Sequence, residues 1–160
     1  MKLISKLLTN YIKRNGNKRH QRQYHHLHQQ KKLDIDMIHT FLSERSYWAK
    51  SIPMKLVQKS IKNSICFGVF VGKKQVGFAR VISDKSTFAY IADVFILEEY
   101  RGRGLSSILM KSISEYKKFQ NFRRWMLVTT DAHFLYEKFG FTIVSKPEKF
   151  MEKRRPNMYV

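Results

Sequence analysis

The chain of 160 residues has one cysteine, Cys66. One thiol cannot close an internal disulfide, and no Cys/His cluster has the spacing of a metal site. Cys66 lies in an apolar run, where a free cysteine behaves as a small buried hydrophobe. A thiol left reduced suits a cytoplasmic setting. No apolar run approaches the roughly 20 residues that a membrane-spanning helix needs. The sequence shows no internal repeat. It also lacks Gly-x-x-x-x-Gly-Lys-Ser/Thr and the three-glycine dinucleotide fingerprint, which excludes two common phosphate loops.

Acids are scarce. Lys and Arg number 31 against 12 Asp and Glu, for a net charge of +19. Residues 1–32 hold nine of the basic residues and no acid, so residues 33–160 keep 22 against 12. Both parts attract anions, whether phosphates, nucleic acid or an anionic membrane surface. Residues 1–23 form a basic extension. Leu3, Ile4, Leu7, Leu8, Tyr11 and Ile12 recur at helical spacing within it, so its start reads either as an amphipathic helix for a membrane or as an added helix or frayed end. It does not read as a secretory signal, because polar residues interrupt the apolar part.

The globular domain is expected over residues 24–152, with a basic tail at 153–160. Tyr24 to Gln30 reads as an edge strand. Its His25, His26 and His28 make a weak metal set, since a strand sends His25 to the opposite face from the other two. Asp34 or Asp36 is placed to cap a helix carrying Ile35, Ile38, Phe41 and Leu42. Pro53 suits the first turn of a second helix with Val57 and Ile61 inward. Three strands follow, Ile65–Val71, Gln75–Ile82 and Thr87–Leu97. Their short connecting turns make them antiparallel neighbours. Asp93 interrupts the apolar sequence of the third.

Then comes Arg101-Gly102-Arg103-Gly104, followed by a helix with Leu105, Ile108, Leu109, Ile113 and Tyr116 at steps of three and four. Arg123–Thr130 reads as a strand. Asp131–Phe139 reads as a short helix capped by Asp131 and stopped by Gly140. Phe141–Val144 and a run near Phe150 read as closing strands.

A strand that ends in two glycines and a helix start is an anion site. Glycine lets a ligand approach the main chain, and the first helical N–H groups lack intrahelical partners. Arg101 and Arg103 add charge-assisted donors. Two glycines could equally make only a tight turn.

This stretch, Asp93 to Ser106, resembles motif A of the GNAT N-acetyltransferase superfamily, Arg/Gln-x-x-Gly-x-Gly/Ala. Arg101 matches its first position and Gly104 its middle glycine, while Ser106 stands where Gly or Ala is usual. Asp131-Ala-His-Phe-Leu-Tyr-Glu-Lys-Phe-Gly-Phe141 resembles the family's downstream signature, and the resemblance spans about 33–152. It implies a single α/β (α+β) domain with a mixed, mostly antiparallel sheet flanked by helices. It implies that the sheet splays at the cofactor-binding strand. Acetyl-CoA would bind at Val94, Phe95, Ile96, Arg101, Gly102, Arg103, Gly104, Leu105 and Ser106.

It also implies acetyl transfer to an amine by direct attack, with no metal and no covalent enzyme intermediate. Tyr136 matches the family's general acid. Asp93 is the candidate base or amine-binding group, with Glu98, Glu99 and His133 as weaker candidates. Arg45, Tyr47 and Trp48 fall where the family often walls the acceptor pocket. Two other functions stay open: a nucleic-acid-binding basic domain, and a catalytically silent acyl-CoA-binding regulatory domain. The acceptor amine and the choice between monomer and homodimer are not written in the sequence.

Overall fold

The computed structural model describes residues 24–27, 33–155 and 158–159. The basic extension 1–23 and His28 lie outside the described residues. Five strands form one sheet in the order β1-β2-β3-β4-β5. They are β1 Tyr24–Leu27, β2 Ile65–Val71, β3 Lys74–Ser83, β4 Phe88–Ile96 and β5 Arg124–Met126. The first four are antiparallel and β5 is parallel to β4.

Two helices cover one face, α1 Ile35–Thr40 and α2 Met54–Lys62. Asp34 is the N-cap of α1, its Oδ1 accepting from Met37 N at 3.0 Å. α1 runs on as a π-helical turn over Phe41–Arg45. Ser46 ends that turn by donating to Leu42 O and accepting from Ala49 N. Pro53 stands just before α2, as its N-cap. Ile38, Phe41, Leu42, Val57 and Ile61 meet Cys66, Phe78 and Phe95 of the sheet in one core. Phe41 and Phe95 stack with ring centroids 3.8 Å apart.

The opposite face carries α3 Leu105–Ser114 and α4 His133–Glu137. Leu105, Leu109, Met110 and Ile113 are buried against Phe67, Val81, Ala89 and Ile91. Burying side chains of this kind stabilises by about 1.5–3 kcal/mol each. This stripe fixes where α3 starts, and so where the glycine loop sits.

The chain departs from the sequence expectations at its C-terminal third. β5 holds three residues, because β4 and β5 stay in register only over Phe88–Tyr90 and then diverge. Residues 127–130 therefore leave the ladder. α4 begins at His133, and its N-cap is Ala132 in place of Asp131. The local hydrogen bond runs from Ala132 N to Thr129 Oγ1, so the Asp131 carboxylate is not needed there. The helix ends at Glu137 with Lys138 as its C-cap, so Gly140, at φ 82°, lies in the turn beyond and is not its stop. Phe141–Val144 and the run near Phe150 form no strand. A cavity of about 720 Å³, lined by Trp125, Phe141, Ile143 and Phe150 among others, separates this segment from β5. Ladder hydrogen bonds cannot cross such a gap, and Ile143 is left 82% exposed.

Candidate active site

The site is built where β4 leaves β5. Between β3 and β4, Phe78 faces Phe95 while Arg80 faces Ala92. Two steps on β3 therefore match three on β4, a β-bulge at Asp93 and Val94. Asp93 takes φ 53°, a left-handed conformation that Asp tolerates better than most residues. Bulges of this kind re-aim side chains beside functional sites. Among the described residues no strand pairs with the β5-facing edge of β4 past Tyr90, so the backbone of Val94–Ile96 has no ladder partner on that side. Arg101 already reaches one group there, its Nε donating to Ile96 O at 3.1 Å.

The bulge aims Asp93 toward the helix pair α1/α2. Its Oδ1 accepts from Trp48 Nε1 at 3.1 Å. Its Oδ2 accepts from Arg80 Nε in an ion pair whose side chains are 9% and 19% exposed. Trp48 reaches this point because the π-helical turn and Ser46 swing the chain around after Phe41. Tyr47 meets Trp48 edge-on at 4.9 Å. Tyr90 faces the same charges, and burial and the Asp93 carboxylate raise its phenol's pKa while Arg80 lowers it.

The glycine loop lies at the end of β4. Gly102 and Gly104 have φ 73° and 74°, which side chains rarely adopt. A Cβ added at either would meet nothing within 4 Å, so open space faces the main chain there. The first intrahelical bond is Ile108 N to Gly104 O. The N–H groups of Gly104, Leu105, Ser106 and Ser107 find no acceptor among the described residues, as in any first helical turn. Open space, four free donors and the positive end of a ten-residue helix fit a pyrophosphate.

The acids expected as weaker catalytic candidates have other work. Glu98 bridges Arg45 at 3.0 Å and Arg101 at 3.2 Å. Its pKa is lowered, first by its own backbone N–H, against an opposing effect of burial, with those guanidinium groups adding to the lowering. Arg103 donates to Glu99 O and lies over the Tyr100 ring. Arg45 thus joins the loop's charge network, whereas Tyr47 and Trp48 stay with Asp93. His133 opens α4 and is exposed.

Tyr136, on α4, is 7% exposed. Its ring meets Phe141 at 6.0 Å. Its hydroxyl has no hydrogen-bond partner among the described residues, an uncommon state for a buried donor. Burial pushes its pKa up to about 12, helped by the nearby Tyr47 and Asp131.

Arg80 and Tyr90 are absent from the sequence-derived site. A signal existed for Arg80: a lone cation inside the apolar strand Gln75–Ile82, as Asp93 is a lone acid in the next. Among the described residues no group of three or more His, Cys, Asp or Glu is placed to hold a metal ion.

The chain matches the model of the acetyltransferase (GNAT) family over residues 35–141. A Gibberella zeae protein provisionally named as an acetyltransferase is 31% identical over 126 residues, covering 66% of this chain and 71% of that one. A crystal structure from Xanthomonas campestris, provisionally named as a GNAT-family acetyltransferase, is 48% identical with a TM-score of 0.83. It covers 85% of this chain and 96% of that one. A GNAT-family acetyltransferase from Elizabethkingia anophelis, solved with acetyl-CoA bound, shares the fold at a TM-score of 0.59 and 14% identity. It covers 85% of this chain and 90% of that one.

Proposed function

Because the chain belongs to the GNAT acetyltransferase family, we propose that it transfers an acetyl group from acetyl-CoA to the nitrogen of an amine by direct attack. The observation that carries this reading is the buried Tyr136 hydroxyl, which has no hydrogen-bond partner among the described residues and belongs to the same core as Val94 and Ile96 of β4.

Acetyl-CoA supplies an activated thioester, and the chain's own groups do the rest. The N–H groups of Gly104 to Ser107 hold the pyrophosphate, with Arg101 and Arg103 adding charge. The unpaired edge of Val94–Ile96 offers backbone donors and acceptors to an extended amide chain. Asp93, held by Trp48 and Arg80, has lone pairs left to orient an amine at the bulge. Tyr136 keeps its proton across the physiological range, since its pKa is about 12. It gives that proton to sulfur as the C–S bond breaks. Nitrogen has by then formed the new amide bond and lost its own proton to solvent or to Asp93.

The test has two parts. Calorimetry should show acetyl-CoA binding to the protein, and a thiol-release assay over a panel of amines should show amine-dependent turnover. Cofactor binding without turnover on any amine would leave a silent binding domain in place of an enzyme.

The net charge of +19 supports a second, accessory reading. Weak sequence-independent contact with a polyanion is expected beside the chemistry. A DNA mobility shift that vanishes with moderate salt would support it, and no shift at low salt would remove it.

A further inference from the structure

We propose that the acceptor carries an anionic group, a carboxylate or a phosphate, close to its amine, and that Arg80 reads it. This rests on the amine-acetylating reading above and deepens it to a substrate class.

The reasoning starts from the Arg80 guanidinium, which has five N–H donors in a fixed fork. Nε is spent on Asp93 Oδ2. Nη1 reaches Ser64 Oγ only at 3.5 Å. No other acceptor for Arg80 occurs among the described residues, and its side chain is mostly buried. A guanidinium so placed keeps donors for one more partner, and planar carboxylate or phosphate oxygens match the fork.

The neighbours fit such a partner. Asp93 and Arg80 are touching opposite charges, so a compact acceptor with an ammonium and an anion meets a complementary charge at each end. An amine without the anion would engage Asp93 and leave Arg80's remaining donors dry. A buried polar group left unpaired is the strong basis of discrimination between similar substrates. Trp48 and Tyr47 offer apolar ring surface beside the pair for the rest of the acceptor. The basic surface draws anionic solutes toward the protein.

The experiment uses matched amines that differ by the anion: phenylalanine against phenethylamine, and phosphoethanolamine against ethanolamine. The first pair reports a carboxylate and the second a phosphate. Turnover is followed by thiol release. Binding of each amine to the CoA-loaded protein is measured by calorimetry, which needs no turnover and so fails separately from the acyl-transfer reading. At least one anionic member should exceed its partner by about tenfold or more in kcat/KM or in affinity. In Arg80→Gln that advantage should fall to about twofold or less, with acetyl-CoA affinity kept. Should Arg80→Gln not fold, Arg80→Lys keeps the charge but loses the fork, and the advantage should shrink several-fold. Equal behaviour of both members of both pairs in the unaltered protein overturns the proposal. So does a folded Arg80 variant that keeps the full preference.

Discussion

Trp48 Nε1 donates to Asp93 Oδ1 at 3.1 Å and joins two residues 45 positions apart. The contact ties the segment after α1 to the bulge of β4, and it places an indole beside the carboxylate that we assign to the acceptor. Trp48→Phe keeps a ring and removes the donor. The contact is solvent-exposed, so melting should change by no more than about 1 kcal/mol. The acceptor KM should rise several-fold, roughly threefold to tenfold, while acetyl-CoA affinity holds. Unchanged KM on a working amine would detach Trp48 from the acceptor site.

Gly104→Ala tests the phosphate loop from the backbone side. At φ 74° a Cβ is strained even though it meets no neighbour, so the variant should lose about 1–2 kcal/mol of stability. Gly104→Glu adds a carboxylate where the pyrophosphate is expected and should abolish measurable acetyl-CoA binding. Calorimetry on folded Gly104→Glu decides it, and wild-type affinity would move the cofactor elsewhere.

Tyr136→Phe removes one hydroxyl and keeps the ring on Phe141. Proton donation is typically worth about 10²–10⁴-fold. The turnover number should fall at least roughly tenfold, with acetyl-CoA affinity near that of the unaltered protein. A second readout uses pH. Burial holds the phenol's pKa at about 12 in the folded state, above the ordinary 10.0 of a tyrosine. A raised pKa favours the protonated fold, so its contribution is complete below pH 10 and is lost as pH rises toward 12. Part of the alkaline loss of stability should be missing in Tyr136→Phe. A variant with normal turnover, under conditions where chemistry limits the rate, would reduce Tyr136 to a packing role.

Cys66 is fully buried, with its Sγ 3.6 Å from Ile61 O. Burial pushes its pKa up to about 12, with Arg80 lowering it and Asp93 raising it by smaller amounts. A thiolate is the reactive form, so the folded protein should resist alkylation at pH 8 and react fully in denaturant. Mass spectrometry after iodoacetamide treatment measures this. Rapid labelling of the native protein would show the core around Cys66 opening far more readily than its burial suggests.

Much of this protein was legible from local rules. Leu105, Leu109 and Ile113 specify α3 by their spacing, and Asp34 caps α1 by a side chain three residues from its donor. The glycine loop could be found because left-handed backbone and a helix start are properties of a few adjacent residues. The burial of Val57 and Ile61 on α2 followed from the same periodicity. Each of these depends on neighbours within about one helical turn.

What only the tertiary structure decided depends on register across the sheet and on chain reversal. The Arg80 and Asp93 side chains meet because a bulge shifts β4 against β3, and no spacing within either strand encodes that shift. Trp48 reaches Asp93 because a π-helical turn and one serine redirect the chain. The run Phe141–Val144 reads as a closing strand, yet a strand forms only where a partner edge lies within hydrogen-bond reach, and here a cavity intervenes. The sequence by itself determined α1 to α3, the three hairpin strands β2 to β4 and the glycine loop, whose physics is local. The Asp93 cluster and the early end of β5 came from long-range packing, which sets distances between groups the sequence holds far apart.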